Sequence, residues 1–274
     1  RVNFQMSSKE PQNQTEEEEG PDQTQQSFVS HLVELRNRIL RALACVFVVL
    51  LCLMPLANQL FVWLAEPLLV YLPGSSSMIA TEVASPFFAP FKLALFVAVL
   101  ISAPFIFYQA WAFVAPGLYL KEKHLAMPLL ISSTLLFYLG IVFCYFVVFP
   151  LVFGFFTSVA PEGVTIMTDI SRYLDFVLKL FFAFGIAFEV PVATFLIVRT
   201  GISTVESLGQ KRPYIIVGAF ALGMVLTPPD VISQILLAVP IWLLYELGLL
   251  LCRNVIPAEK DEDDMDESSA AEKR

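Results

Sequence analysis

The side chains able to do chemistry are few, and most of them are carboxylates standing alone. Glu34 is the only acid in Ser27-Phe28-Val29-Ser30-His31-Leu32-Val33-Glu34-Leu35-Arg36-Asn37-Arg38, a stretch that reads as an amphipathic helix capped by Ser30. Glu122 stands in Lys121-Glu122-Lys123-His124, and Glu189 interrupts a long apolar run. A carboxylate accepts the planar guanidinium fork through both oxygens, whereas an ammonium makes only a point contact. Two such acids brought to one surface could therefore select two adjacent arginines. Each acid also has a plainer role. Glu34 is spaced for an i,i+4 ion pair with Arg38, and Glu122 suits a solvated turn. An ionised carboxylate at the position of Glu189 costs at least ~3 kcal/mol inside a bilayer, so it must face protein or water. It fits an interhelical hydrogen bond or the titrating group of a proton-coupled small-solute secondary transporter. Lys179 is about 15 Å back along the same helix axis, too far to neutralise Glu189, and suits Asp175 at i,i+4. Glu246 suits snorkelling or pairing with Arg253.

Other chemistries find little purchase. His31 and His124 both flank the apolar runs, and Cys45, Cys52, Cys144 and Cys252 lie in or beside those runs without CxxC spacing, so neither a metal site nor a disulfide framework is indicated. No GxxxxGK phosphate loop occurs. No cofactor is expected.

The elements that must position these groups are membrane helices. With 57% hydrophobic and 15% charged residues, the 274-residue chain exceeds what a soluble domain tolerates. The excess is concentrated in six runs, at 40–60, 91–112, 125–149, 174–198, 214–226 and 231–251. About 20 helical residues cross a ~30 Å hydrocarbon layer; the fifth run, at about 13, reaches only ~20 Å and implies a re-entrant segment or local bilayer thinning. Basic residues set the orientation: Arg36, Arg38, Arg41, Lys121, Lys123, Arg199, Lys211, Arg212 and Arg253 fall on the side holding both termini, against Lys92, Arg172 and Lys179. Both termini are therefore expected in the cytoplasm, with exterior loops near 61–90, 150–173 and 227–230. Pro104, Pro128, Pro191 and Pro240 lie inside the runs, favouring a bent, cup-shaped, all-α bundle. The acidity lies in the tails. Residues 1–29 carry 2 basic and 6 acidic groups and residues 254–274 carry 3 and 8. The expected organisation is a disordered acidic tail over 1–27, a membrane domain over 28–253 and a second disordered tail over 254–274. This balance indicates no nucleic-acid partner.

A succession of motifs carries a resemblance. His31-Leu32-Val33-Glu34-Leu35-Arg36, Met78-Ile79-Ala80-Thr81-Glu82-Val83-Ala84-Ser85-Pro86-Phe87-Phe88, Ser102-Ala103-Pro104, Trp111-Ala112-Phe113-Val114-Ala115-Pro116-Gly117-Leu118-Tyr119, Phe188-Glu189-Val190-Pro191, Lys211-Arg212-Pro213-Tyr214 and Leu226-Thr227-Pro228-Pro229-Asp230 follow one another over roughly 28–253. In this order they resemble the TatC family, the core of the twin-arginine (Sec-independent) protein translocase. The resemblance implies a six-helix, cup-shaped receptor in the plasma (inner) membrane. Such a receptor binds the Arg-Arg signals of folded precursors and, with TatA- and TatB-type single-span partners and further copies of itself, supports export driven by the proton-motive force. It implies that Glu34 and Glu122 contact the paired arginines with Arg36 and Phe113 beside them. Pro67, Phe87 and Asp230 would matter in exterior loops, and Glu189 would be the buried acid of the fourth crossing. Lys179 departs from the pattern, which leads one to expect a small or apolar residue there.

Overall fold

The computed structural model describes residues 21–71, 79–114, 126–158, 169–226 and 231–255. Helix α1 (Pro21–Leu53) continues through a 3-10 turn at Met54–Leu56 into α2 (Ala57–Tyr71). Pro55 falls where its missing N–H is tolerated, so the turn tightens without ending the helical path. The first run therefore extends through residues assigned above to an exterior loop. It also starts earlier than expected: Ser30 lies inside α1 rather than at its cap.

Helix α3 (Ser85–Val114) carries Pro90 and Pro104 within it. α4 (Ala126–Phe143) passes through a π-helical stretch, Cys144–Val148, into α5 (Phe149–Ser158). Phe149 N–H bonds back to the Cys144 carbonyl there, one residue before Pro150, which has no N–H to offer. The fourth run is broken in two. α6 (Ile170–Ala187) ends, Phe188 and Glu189 form a turn, and α7 (Val190–Arg199) begins with Pro191 in its first turn. Pro191 cannot donate to the Ala187 carbonyl, which is why the break falls there. α8 (Val205–Gln210), α9 (Arg212–Leu226) and α10 (Val231–Val255) complete the chain.

Among the described residues, five segments are long and apolar enough to cross a membrane: Val29–Leu64, Ser85–Val114, Met127–Phe156, Ile170–Arg199 and Gln234–Asn254. The apolar helix Arg212–Leu226 is shorter. At 15 residues it spans only ~22 Å, so the shortfall of the fifth run is real. No named strand occurs among the described residues, only an isolated bridge between Ile79 and Asp169.

Packing relies on small residues, as expected where lipid leaves no hydrophobic drive between helices. Ala94 and Ala98 of α3 are fully buried near Leu50 of α1 and Ala57 of α2. α4 and α6 approach closely at two glycines: a Cβ on Gly140 would lie 2.6 Å from the Phe184 carbonyl oxygen, and one on Gly185 would meet the Phe137 ring at 2.6 Å. The largest buried cluster joins the π stretch and α5 to α6 through Cys144, Val148, Val152, Val177, Leu180 and Phe184. Leu43 and Phe47 of α1 remain exposed and suit contact with lipid tails.

Candidate functional site

One end of α3 packs against the early turns of α1 and forms a polar rim. His31, Glu34 and Arg38 are spaced i, i+3, i+7 and so share one face of α1. That face meets Gln109 and Phe113, one turn apart on α3. The His31 and Phe113 rings stack with centroids 4.2 Å apart and planes 18° from parallel. Arg38 Nε donates to Glu34 Oε1 at 2.9 Å, Nη2 donates to the same oxygen, and Nη1 reaches Gln109 Oε1 at 3.5 Å. Gln109 is buried, whereas the Glu34 side chain is 38% exposed. Nε and Nη2 of Arg38 thus converge on one carboxylate oxygen. Glu34 Oε2 has no hydrogen-bond partner among the described residues.

Of the residues expected at a signal site, Glu34 and Phe113 fall on the two helices that meet at this rim, Phe113 against His31 and Glu34 against Arg38. Arg36 is exposed and turned to the adjacent face, where its Nη2 donates to Asn37 Oδ1 at 3.4 Å. Glu122 lies outside the described residues, as does Asp230. The i,i+4 pair of Glu34 with Arg38 is present. Gln109 was not singled out from the sequence, although a lone amide in the apolar run 91–112 is the signal that could have marked it.

Glu189 sits at the α6–α7 break, half-buried, near Ser133 of α4. Buried Ser133 in turn accepts from Trp111 Nε1 of α3 at 3.3 Å. The Trp111–Ser133 bond ties α3 to α4 beside the α6–α7 break. Glu189 Oε1 nonetheless has no hydrogen-bond partner among the described residues.

Beside the opposite end of α3 lies a different carboxylate. Asp169 caps α6: its Oδ1 accepts from Arg172 N–H at 3.0 Å, and its Oδ2 accepts from Thr81 N–H at 2.9 Å and Thr81 Oγ1 at 2.7 Å. Ile170 N–H donates to the Ile79 carbonyl at 2.9 Å, and Ser171 Oγ donates to Ser85 Oγ at 2.8 Å. The Thr81 hydroxyl, with the Arg172 and Thr81 backbone amides behind it, lowers the Asp169 carboxyl from the usual range to about 2. Phe87, on the first turn of α3 beside this clamp, is exposed, with its ring edge-on to Phe88 at 5.3 Å. Pro67 lies within α2 rather than in a loop.

Two ion pairs correct the sequence-based partners. Asp175 bonds Lys92 of α3 at 2.8 Å, leaving Lys179 exposed, and Glu246 takes a two-point fork from Arg212 at 2.6 and 2.9 Å rather than pairing with Arg253.

Long apolar helices with polar groups gathered at their ends and at one break define a polytopic all-α membrane protein. A family model described as Sec-independent protein translocase protein (TatC) matches residues 30–240. The chain belongs to the TatC family, and it is a component of the Sec-independent protein translocase. It is 58% identical over 230 residues to a Sec-independent protein translocase protein TatC of Azotobacter chroococcum, covering 84% of this chain and 90% of that one. It is 54% identical over 228 residues to the Escherichia coli protein of the same name, covering 83% and 88%. A crystal structure of a twin arginine translocase receptor, TatC, superposes with a TM-score of 0.74 at 38% identity, covering 81% of this chain and 98% of that one. These relatives do not support the small-solute transporter alternative.

Proposed function

We propose that this chain is the membrane receptor that binds the Arg-Arg signals of folded precursor proteins at the α1–α3 rim. With TatA- and TatB-type single-span partners it supports their export, driven by the proton-motive force. The observation that carries this reading is the partly exposed Glu34 carboxylate, held by Arg38 through Oε1 alone with Oε2 open to an incoming donor, on the helix face whose His31 stacks on Phe113. A guanidinium docking there gains a charge-assisted hydrogen bond where protein limits solvation. Glu122 supplies the second carboxylate and Arg36 lines the neighbouring surface. The apolar part of the signal lies along the adjacent helices.

In this reading Arg212–Leu226 is the fifth of six crossings, and its shortness thins the bilayer locally. Both termini are cytoplasmic, the protein resides in the plasma (inner) membrane, and several copies associate in the complex. The basic residues near the rim support that orientation. Residues 1–27 and 254–274 are acidic tails outside the membrane domain. Pro67, Phe87 and Asp230 act at the exterior end, and Glu189 acts as the buried acid of the fourth crossing.

The test is binding of a fluorescent Arg-Arg signal peptide to the purified full chain in detergent. Glu34→Gln should weaken binding at least about 30-fold, because it removes the charge from a hydrogen-bonded ion pair. Unchanged affinity would overturn the assignment.

A further inference from the structure

Arg38 places on Glu34 the same chemical group that the receptor is built to recognise. Its Nε and Nη2 both hold Oε1, and its Nη1 extends to Gln109 Oε1 on α3. The Arg38 side chain is only 19% exposed, so this guanidinium is packed into the rim. A signal arginine arriving at Oε2 is confined to that one oxygen; the two-oxygen fork requires Arg38 to leave Oε1. We propose that Arg38 is an internal competitor that occupies the signal site and sets its affinity. The proposal rests on the reading of Glu34 as an acceptor of the signal's arginines.

Two physical consequences follow. First, only the fraction of receptors with Oε1 vacated is competent for the full fork, so the apparent dissociation constant is raised by the reciprocal of that fraction. Second, release of the signal leaves no bare carboxylate at the edge of the membrane. Arg38 takes Glu34 back as the signal departs, with Gln109 Oε1 within reach of its guanidinium throughout. A receptor that must hand its ligand onward gains from such an exchange, since an unpaired partly buried charge would otherwise oppose release.

The experiment compares the full-length chain and its variants in detergent, reading the dissociation constant of a fluorescent Arg-Arg signal peptide by anisotropy. Arg38→Gln removes the competitor and should tighten binding about three- to tenfold. Arg38→Lys keeps the charge but loses the fork, and should fall between wild type and Arg38→Gln. In a Glu34→Gln background the gain from Arg38→Gln should vanish. Weaker binding by Arg38→Gln would show that Arg38 positions Glu34 rather than competing for it, and would overturn the proposal. Arg38→Lys binding as wild type does would assign the effect to charge alone and would overturn it as well. Should Glu34→Gln by itself leave binding intact, the signal-site reading fails. Should Glu34→Gln abolish binding while Arg38→Gln changes nothing, the competitor alone fails.

Discussion

Near the two ends of α3 stand two carboxylates, Glu34 of α1 and Asp169 at the cap of α6, and they are held in opposite ways. At one end Asp169 is gripped through both oxygens by short neighbours, the Thr81 hydroxyl and amide and the Arg172 amide. None of these donors can swing away without unravelling the cap of α6 or the segment before α3. At the other end Glu34 is held through one oxygen by a long, flexible side chain from one turn further along its own helix. The first carboxylate is a fastening. The second has a partner that can be exchanged, which suits the proposed recognition of a signal's arginines. Donor length and the number of oxygens engaged thus separate a fastened acid from an exchangeable one.

The sharpest way to break this comparison is to swap readouts. Glu34→Gln should weaken the Arg-Arg peptide at least about 30-fold while moving the thermal unfolding midpoint by no more than about a degree, because a partly exposed i,i+4 pair contributes little to stability. Asp169→Ala should do the reverse, lowering the midpoint by several degrees through loss of a helix cap and of the Thr81 tie, with peptide affinity unchanged. A drop in peptide affinity for Asp169→Ala as large as that for Glu34→Gln would erase the distinction.

A pH series refines the Asp169 end. The folded Asp169 carboxyl titrates at about 2, below its unfolded value of ~3.9. Its contribution to stability is therefore complete above the unfolded value and disappears as pH falls toward 2. The melting difference between wild type and Asp169→Asn should stay constant from pH 7 to about pH 5, then close on further acidification. A difference that persists unchanged at pH 2 would contradict the clamp. The smallest effect belongs to Glu246→Gln: the Arg212 side chain is 51% exposed, so losing that fork should shift the midpoint by no more than about a degree.

Much of this was legible in the residues, and the failures share a cause. Hydropathy located the crossings because bilayer thickness imposes a length that the chain must honour, and it exposed the short helix Arg212–Leu226 for the same reason. The Glu34–Arg38 pair followed from helical spacing. Contacts between helices did not follow. Asp175 has Lys179 one turn away, yet it bonds Lys92 from α3, because the tertiary arrangement rather than sequence distance sets which cation it meets. Glu246 likewise takes Arg212 over Arg253. The stacking of His31 on Phe113 and the reach of Arg38 to Gln109 depend on how α1 leans on α3, which periodicity leaves open. The extension through α2 was missed because a run of about 20 residues already closes at residue 60, whereas the helix after the 3-10 turn carries the chain on to Tyr71. Asp169 left a readable trace in Thr168-Asp169-Ile170-Ser171, an acid just ahead of an apolar helix, although its bonds to Thr81 could come only from the fold.

The central claim is that Glu34 reads guanidinium groups, and a crossed binding experiment tests it most directly. Arg-Arg and Lys-Lys versions of one signal peptide are titrated against wild type and Glu34→Gln. On wild type the Lys-Lys peptide should bind at least about tenfold more weakly, because an ammonium cannot make the two-point contact, and on Glu34→Gln that ratio should shrink at least about threefold. An equal Arg-Arg to Lys-Lys ratio on the two proteins would mean that Glu34 does not see the arginines.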